Sequence, residues 1–374
     1  MTIRFPKWGR AAAGRALIAL LLVGALVTAG WIFARKPQQP VRPLAAPTEV
    51  PGGNAATAAG PSVLQGTAPV QAEAPRDQGA SALQTWATGL SGPLDIPERA
   101  LAGYATAELT LRKEQPGCHL SWVTLAGIGK ASSDHGRFGG DSLASDGTVR
   151  KALGAVPLQG AAGQPASERR SGPMQLTSQE WQRGQGNIQD VDDASIAAGR
   201  VLCASGNLQS GLTWWNAIAK YRNSDLFRQQ VLGNAQLYAA LSLAPQTAGN
   251  PSVRAVRFAL DQIGLPYVWG GNGPDAGAAG FDCSGLTKAA YDSAGISLPR
   301  TADSQFRTEP RVQGEPAMGD LVFYGSPATF IHHVGLYLGN GLMINAPTQG
   351  MAVQIATYHV PGDDYTGAGR PAVQ

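Results

Sequence analysis

Charge is scarce in this sequence. Acidic and basic side chains make up 15% of its 374 residues and nearly cancel, leaving a formal net charge of +3. A balance so near neutral supplies no basic stripe for phosphates and argues against a nucleic-acid partner. Histidine is scarcer still. There are five, without the spacing that metal sites use, so neither a metal nor another cofactor is expected. Cysteine is limited to Cys118, Cys203 and Cys283, an odd number. In a chain outside the cell, two can pair and one is left over. A Cys118–Cys203 bridge would close a loop of roughly 85 residues, worth about 4–5 kcal/mol in the chain-entropy account. Cys283 would then be a free thiol. The competing reading is three independent buried thiols. No internal repeat stands out, and the length suggests two or more domains.

What is present changes along the chain. Residues 1–36 read as a cytoplasmic tip and a membrane anchor. Arg4, Lys7, Arg10 and Arg15 precede an uncharged run from Ala16 to Ala34, followed by Arg35 and Lys36. A run of roughly nineteen uncharged residues is long enough to span a bilayer. The basic excess before it places the N-terminus in the cytoplasm and the rest outside. The alternative is a signal peptide cut near Val27-Thr28-Ala29, giving a secreted protein. Residues 37–92, rich in Pro, Ala, Gly, Gln and Thr, read as a disordered tether. Residues 93–245 carry helical periodicity and no convincing strand, so an all-α domain is expected. Residues 251–374 begin with helical patterns and end with short strand-like runs, which suggests an α+β domain.

The chemistry concentrates in that last part. Asp282 stands at an N-cap position before the apolar pattern Leu286, Ala289, Ala290 and Tyr291. Cys283 therefore falls in a helix's first turn, where the dipole and free N–H groups favour a thiolate. A base follows at His332-His333. Alternation places His333, Gly335 and Tyr337 on one strand face and His332 on the other, as a bystander. A turn at Gly339-Asn340-Gly341 folds Asn345 back opposite Gly335, on the His333 face. Cys283, His333 and Asn345 then have the order of a nucleophile, a base and an orienter.

Two resemblances follow from these strings. Cys118-His119-Leu120-Ser121-Trp122, Ser133-Asp134-His135-Gly136, Ser171-Gly172-Pro173-Met174-Gln175 and Tyr221-Arg222-Asn223-Ser224 are similar to motifs of the lytic transglycosylase family, which implies a lysozyme-like fold for 93–245. That family's catalytic glutamate falls on Ser132, and a hydroxyl cannot protonate a glycosidic oxygen near neutral pH. Asp134 lies roughly 200° further around the helix. The resemblance thus implies a domain that binds glycan, through Gln175, Tyr221 and Asn223, without cleaving it.

The second resemblance is to the NlpC/p60 family of papain-like cell-wall peptidases. Pro266-Tyr267-Val268-Trp269-Gly270-Gly271, Phe281-Asp282-Cys283-Ser284-Gly285-Leu286, Pro299-Arg300-Thr301, Gly319-Asp320-Leu321 and His333-Val334-Gly335-Leu336-Tyr337 occur in the family's order. It implies Cys283 as nucleophile, His333 as base and Asn345 at a third position more often held by histidine. It also implies Tyr267 near the oxyanion, and Asp282 and Ser284 in a substrate subsite. The combined expectation is a membrane-anchored peptidoglycan hydrolase cutting stem peptides between D-glutamate and a diamino acid. Two alternatives are a wall-binding subunit of a conjugation or secretion apparatus and a bifunctional transglycosylase/peptidase.

Overall fold

The computed structural model describes residues 67–75, 79–160 and 169–372. The expected anchor and the tether up to residue 66 lie outside the described residues. Among those described, no helix is long and apolar enough to cross a membrane.

The tether reading fails from residue 67 onward. Gly79–Leu94 forms helix α1, with Ala87, Leu90 and Leu94 buried at spacings of three and four. Trp86 meets the edge of Trp122 at 5.3 Å. Residues 67–75 lie against the helices without regular structure of their own, and in them Ala74 N–H donates to the Glu108 carboxylate at 3.2 Å and Ala72 O accepts from Ser121 Oγ at 2.6 Å. Alanine favours a helix as readily as it fills a tether, so composition alone misreads this segment.

Helices α2 (Glu98–Glu114), α3 (Trp122–Ser133), the single turn α4 (Ser178–Trp181), α5 (Val191–Cys203), α6 (Gly211–Tyr221) and α7 (Asp225–Leu243) complete a largely helical first half. Leu101, Tyr104, Ala105 and Ala107 of α2 are all buried. Helix α3 lies along α7, and α2 along α5. A disulfide joins Cys118, before α3, to Cys203, at the end of α5, with Cα atoms 5.2 Å apart. One departure from the all-helical expectation is a two-residue antiparallel ladder, β1 (Arg170–Ser171) with β2 (Leu176–Thr177).

The second half is α+β. Helices α8 (Pro251–Asp261), α9 (Cys283–Ser293) and α10 (Ala302–Thr308) precede β3 (Leu321–Ser326), β4 (Phe330–Gly339), β5 (Leu342–Asn345), β6 (Gln354–Thr357) and β7 (Tyr365–Gly369). The antiparallel sheet has the order β6-β5-β4-β3-β7. Helices α9 and α10 both pack on β4. Leu321, Phe323, Ile331, Val334, Leu336 and Leu338 belong to the main core. Val322, Tyr324, Tyr337 and Met343 form a smaller cluster on the opposite side of the sheet.

The two halves are not separate bodies. All described residues fall in one compact unit, and one hydrophobic core runs through both halves. Gln229 Oε1 of α7 accepts from Ile355 N–H of β6 at 2.8 Å, and Arg257 of α8 donates to Pro93 O at 2.7 Å.

Candidate active site

The site starts from the first turn of α9. Asp282 caps it, accepting from Gly285 N–H at 2.6 Å. The same carboxylate accepts from Gly270 N–H at 2.9 Å and takes two bonds from the Arg300 guanidinium, at 2.9 and 2.6 Å. Arg300 also donates to Ser284 Oγ at 3.1 Å. Asp282 and Ser284 are 9% and 5% exposed. The two side chains expected in a substrate subsite are thus largely enclosed. They are buried in a network that locks the loop 270–271, the segment at 300 and the cysteine's helix together. A two-point guanidinium–carboxylate contact fixes orientation as well as distance.

Cys283 is the free cysteine and stands half-buried at the helix start. Its thiol is held above the ordinary range. Burial is the main cause and the Asp282 charge the second, while N–H groups of Val334 and Ser284 pull the other way. The Val334 contact places the sulfur against β4, beside His333. The expected thiolate preference at a helix N-terminus is thus outweighed. A dipole is worth about 0.3–1 kcal/mol, whereas desolvation moves a buried group by as much as several pH units. Tyr267 is half-buried nearby. Its hydroxyl is pushed up to about 12 by burial and then by the charges of Cys283 and Asp282.

Strand β4 is irregular where it carries the histidines. Tyr324 pairs with His333, but Gly325 pairs with Ile331, so His332 is an extra residue in the ladder. Such a bulge re-aims side chains. Ile331 and Val334, three apart, both belong to the main core, and His332 and His333 lie between them on the other side. The alternation that put His332 on the opposite face does not hold. His332 Nε2 instead pairs with Asp364 Oδ2 at 2.5 Å, near the surface. The signal was in the sequence: two core residues three apart cannot lie on one face of a regular strand.

His333 is half-buried, with the Tyr324 ring 5.6 Å away. Burial, followed by the charge of His332, pulls its ring down to about 4, while Asn345 and then Asp364 favour the protonated form. Asn345 is fully buried on β5, where the pairing of Leu336 with Ile344 carries it opposite Gly335. The carboxamide is near enough to influence the ring, yet no bond of hydrogen-bond geometry joins them. His333 Nε2 and both polar atoms of Asn345 are buried without partners. No hydrogen bond links His333 to the thiol either. The raised thiol and the lowered imidazole both favour the uncharged pair.

The residues expected to hold glycan are placed differently. Gln175 is 1% exposed, and its side chain is bonded to Val156 N–H, Gly154 O and Gly172 O. Tyr221 is fully buried and donates to Met174 O at 2.5 Å. Both are scaffold groups and offer no surface to a ligand. Asn223 is exposed. Ser132, at the expected acid position, is 1% exposed, and its hydroxyl has no partner. His135 is buried between the hydroxyls of Tyr104 and Tyr238, at 3.0 and 2.9 Å. Among the described residues no group of His, Cys, Asp or Glu is gathered to hold a metal ion. A groove of about 610 Å³ beside α9 is lined by Phe258, Asn272, Phe281, Lys288 and Asp292 and contains neither Cys283 nor His333.

A thiol at the start of a capped helix, packed on an antiparallel sheet that supplies an imidazole and a carboxamide, is the arrangement of a cysteine peptidase. Residues 264–369 match the model of the NlpC/P60 family. The peptidoglycan endopeptidase RipA of Mycobacterium tuberculosis is 36% identical over 140 residues, which is 34% of this chain and 29% of RipA. The probable endopeptidase p60 of Listeria monocytogenes is 50% identical over 96 residues, 25% of this chain and 18% of that protein. The bifunctional muramidase/DL-endopeptidase CwlT of Bacillus subtilis is 45% identical over 99 residues, 26% of this chain and 29% of CwlT. The chain spans less than a third of the length of each of these relatives. Its C-terminal part is an NlpC/p60-family cysteine-peptidase domain, homologous to bacterial peptidoglycan endopeptidases.

Proposed function

We propose that the protein is a peptidoglycan endopeptidase that cuts the wall's stem peptide. The observation that carries this reading is the free Cys283 at the capped start of α9, set against the strand of His333 within the NlpC/P60 match. Cys283 Sγ attacks the peptide carbonyl carbon, and its proton passes to His333 as the S–C bond forms. The oxyanion is met by N–H groups of the first turn of α9 and by Tyr267. The C–N bond then breaks, and His333 returns the proton to the leaving amine. Water, activated by the same imidazole, hydrolyses the thioester. The uncharged resting pair suits His333 to act as a general base.

The bond we assign joins D-glutamate to a diamino acid. The DL-endopeptidase name of the Bacillus relative supports that choice. The helical half is read as a lysozyme-like domain that holds wall glycan without cutting it, because Ser132 supplies no acid. Its contacts must come from exposed groups such as Asn223. The run from Ala16 to Ala34 would anchor the chain in the membrane with both halves outside, and the disulfide suits that compartment. Membership of a conjugation or secretion apparatus remains a compatible proposal for such a tethered wall enzyme.

The test is incubation of the protein with purified peptidoglycan, followed by mass spectrometry of the products. Cleaved stem peptides are expected, with a loss of at least about 10⁴-fold in Cys283→Ala. Anhydro-sugar products that persist in this variant would overturn the reading of Ser132. Stem-peptide cleavage that survives it would overturn Cys283 as nucleophile.

A further inference from the structure

The bulge in β4 gives the site a second imidazole that the proposed mechanism does not use. His332 and His333 both lie off the core side of the strand, between Ile331 and Val334. Gly325, which pairs with Ile331 on β3, lies beside the bulge. A Cβ there would lie 2.5 Å from Phe330 O and 3.1 Å from His332 Cδ2, so the absence of a side chain at 325 leaves room for both the neighbouring strand and the second ring. Asp364, in the turn leading into β7, holds His332 at 2.5 Å. Two imidazoles adjacent in sequence and projected to one side cannot both be protonated without cost, because like charges at short range repel.

We propose that His332, held by Asp364, is an electrostatic partner of His333 whose own proton opposes a second positive charge on that ring and so sets the pH range in which the site works. This deepens the peptidase reading and rests on it. His332 is a positioning residue, acting through His333. It touches no reacting atom.

The charged surroundings are few. On the outer side of the sheet stand Asp364, paired with His332, and Asp363, paired with His359 at 2.8 Å. Tyr324 and Tyr365 meet edge to face beside them at 5.9 Å. From α10, Asp303 accepts Ile331 N–H at 3.1 Å and is neutralised by Arg307 at 2.7 Å. From α9, the Cys283 thiol lies against the Val334 N–H of the same strand. The groups that influence the charge of His333 are, in order, its own burial, His332, Asn345 and Asp364. Among the charged side chains His332 precedes Asp364 in that order. The sign follows. A positive neighbour makes both the imidazolium and the protonated thiol easier to deprotonate. Removing it makes both hold their protons to higher pH, so the acid limb of activity moves upward whichever group sets it.

The experiment uses the full chain with histidine-selective isotope labelling. Its five histidines give five ring signals. The His333 signal, assigned with His333→Gln, is followed by NMR as the pH is lowered. In His332→Gln, which removes the charge and keeps a hydrogen-bonding side chain for Asp364, the His333 titration is expected to rise by roughly 0.5 to 1 unit. In His332→Arg, which keeps the charge, it is expected to stay at or below the wild-type position. The acid limb of kcat/KM for peptidoglycan cleavage should move in the same directions. No movement of His333 in His332→Gln, or the same movement in both variants, overturns the proposal. A titration shift with an unmoved acid limb overturns it as well. If the wild-type chain cleaves nothing at any pH while the titration shift holds, the peptidase reading fails and the charge coupling stands.

Discussion

Asn345 carries the sharpest question at the scale of single residues. It is fully buried, and both ends of its carboxamide lack partners beside a ring whose Nε2 also lacks one. A buried polar group left so costs about 1–3 kcal/mol, which selection tolerates where function needs the group. A small rotation would let the carboxamide accept from Nε2–H once His333 takes the thiol's proton. Asn345→Ala is therefore expected to lower kcat by about 10²-fold through misplacement of the ring, with KM little changed. Asn345→His, which restores a ring-to-ring hydrogen bond, should recover part of it. Steady-state kinetics on a stem-peptide substrate decide the matter, and an unchanged kcat in the alanine variant removes Asn345 from the site. The placement of Cys283 at a helix start and of Asn345 opposite Gly335 could be read from the sequence because a cap position and a hairpin turn are local signals. The charge state of Cys283 and His333 could not, because it depends on burial contributed by residues far along the chain. Gln175 and Tyr221 were misassigned for the same reason. Their motif positions are visible in sequence, but not the turn that folds them inward.

Among the elements, α9 depends on one close approach. A Cβ on Gly285 would lie 2.0 Å from Gly271 O, a main-chain atom with nowhere to retreat. The glycine lets the helix's first turn pack against the loop that Asp282 and Arg300 hold. Gly285→Ala is expected to cost about 1–3 kcal/mol, lowering Tm by several degrees, and to reduce cleavage disproportionately because Cys283 moves with the turn. Gly89, within α1, meets nothing within 4 Å, so Gly89→Ala should instead gain up to about 1 kcal/mol from helix propensity. Thermal melts of both proteins check the contrast, and equal Tm changes of one sign would refute it. The helical reading of 93–245 is met by long helices such as α3 (Trp122–Ser133) and α7 (Asp225–Leu243). Helix α1 escaped because its few apolar residues sit in a tether-like composition. The β4 bulge escaped because strict alternation was assumed across it.

For the molecule as a whole, the sequence suggested two domains divided near residues 245–251, and the fold joins them. Proline and glycine cluster at Pro245, Gly249 and Pro251, which looks like a linker by composition. What composition does not show is that α7 turns a polar, small-residue face toward the second half. A Cβ on Gly233 would lie 2.5 Å from Leu260 Cδ2 and 2.8 Å from Ile355 Cδ1, so the helix packs directly against α8 and β6. Gln229 of the same helix satisfies Ile355 N–H at an edge of the sheet. The helical half therefore holds the candidate active site in a fixed orientation. A glycan bound to it would present its stem peptides at a set distance, in contrast to the broad distribution a flexible linker gives. The consequence for stability is cooperative unfolding of residues 67–372. Gly233→Val overpacks this junction, at a cost of about 1–3 kcal/mol. Gln229→Leu strands the Ile355 N–H, at a similar cost. Calorimetry of the wild-type chain should show one transition for the two halves. Both variants should lower it, and Gly233→Val should begin to split it, with the peptidase half melting first because its sheet edge loses its cover. Two independent transitions in the wild-type protein, unmoved by either variant, would show that the shared core does not couple the halves.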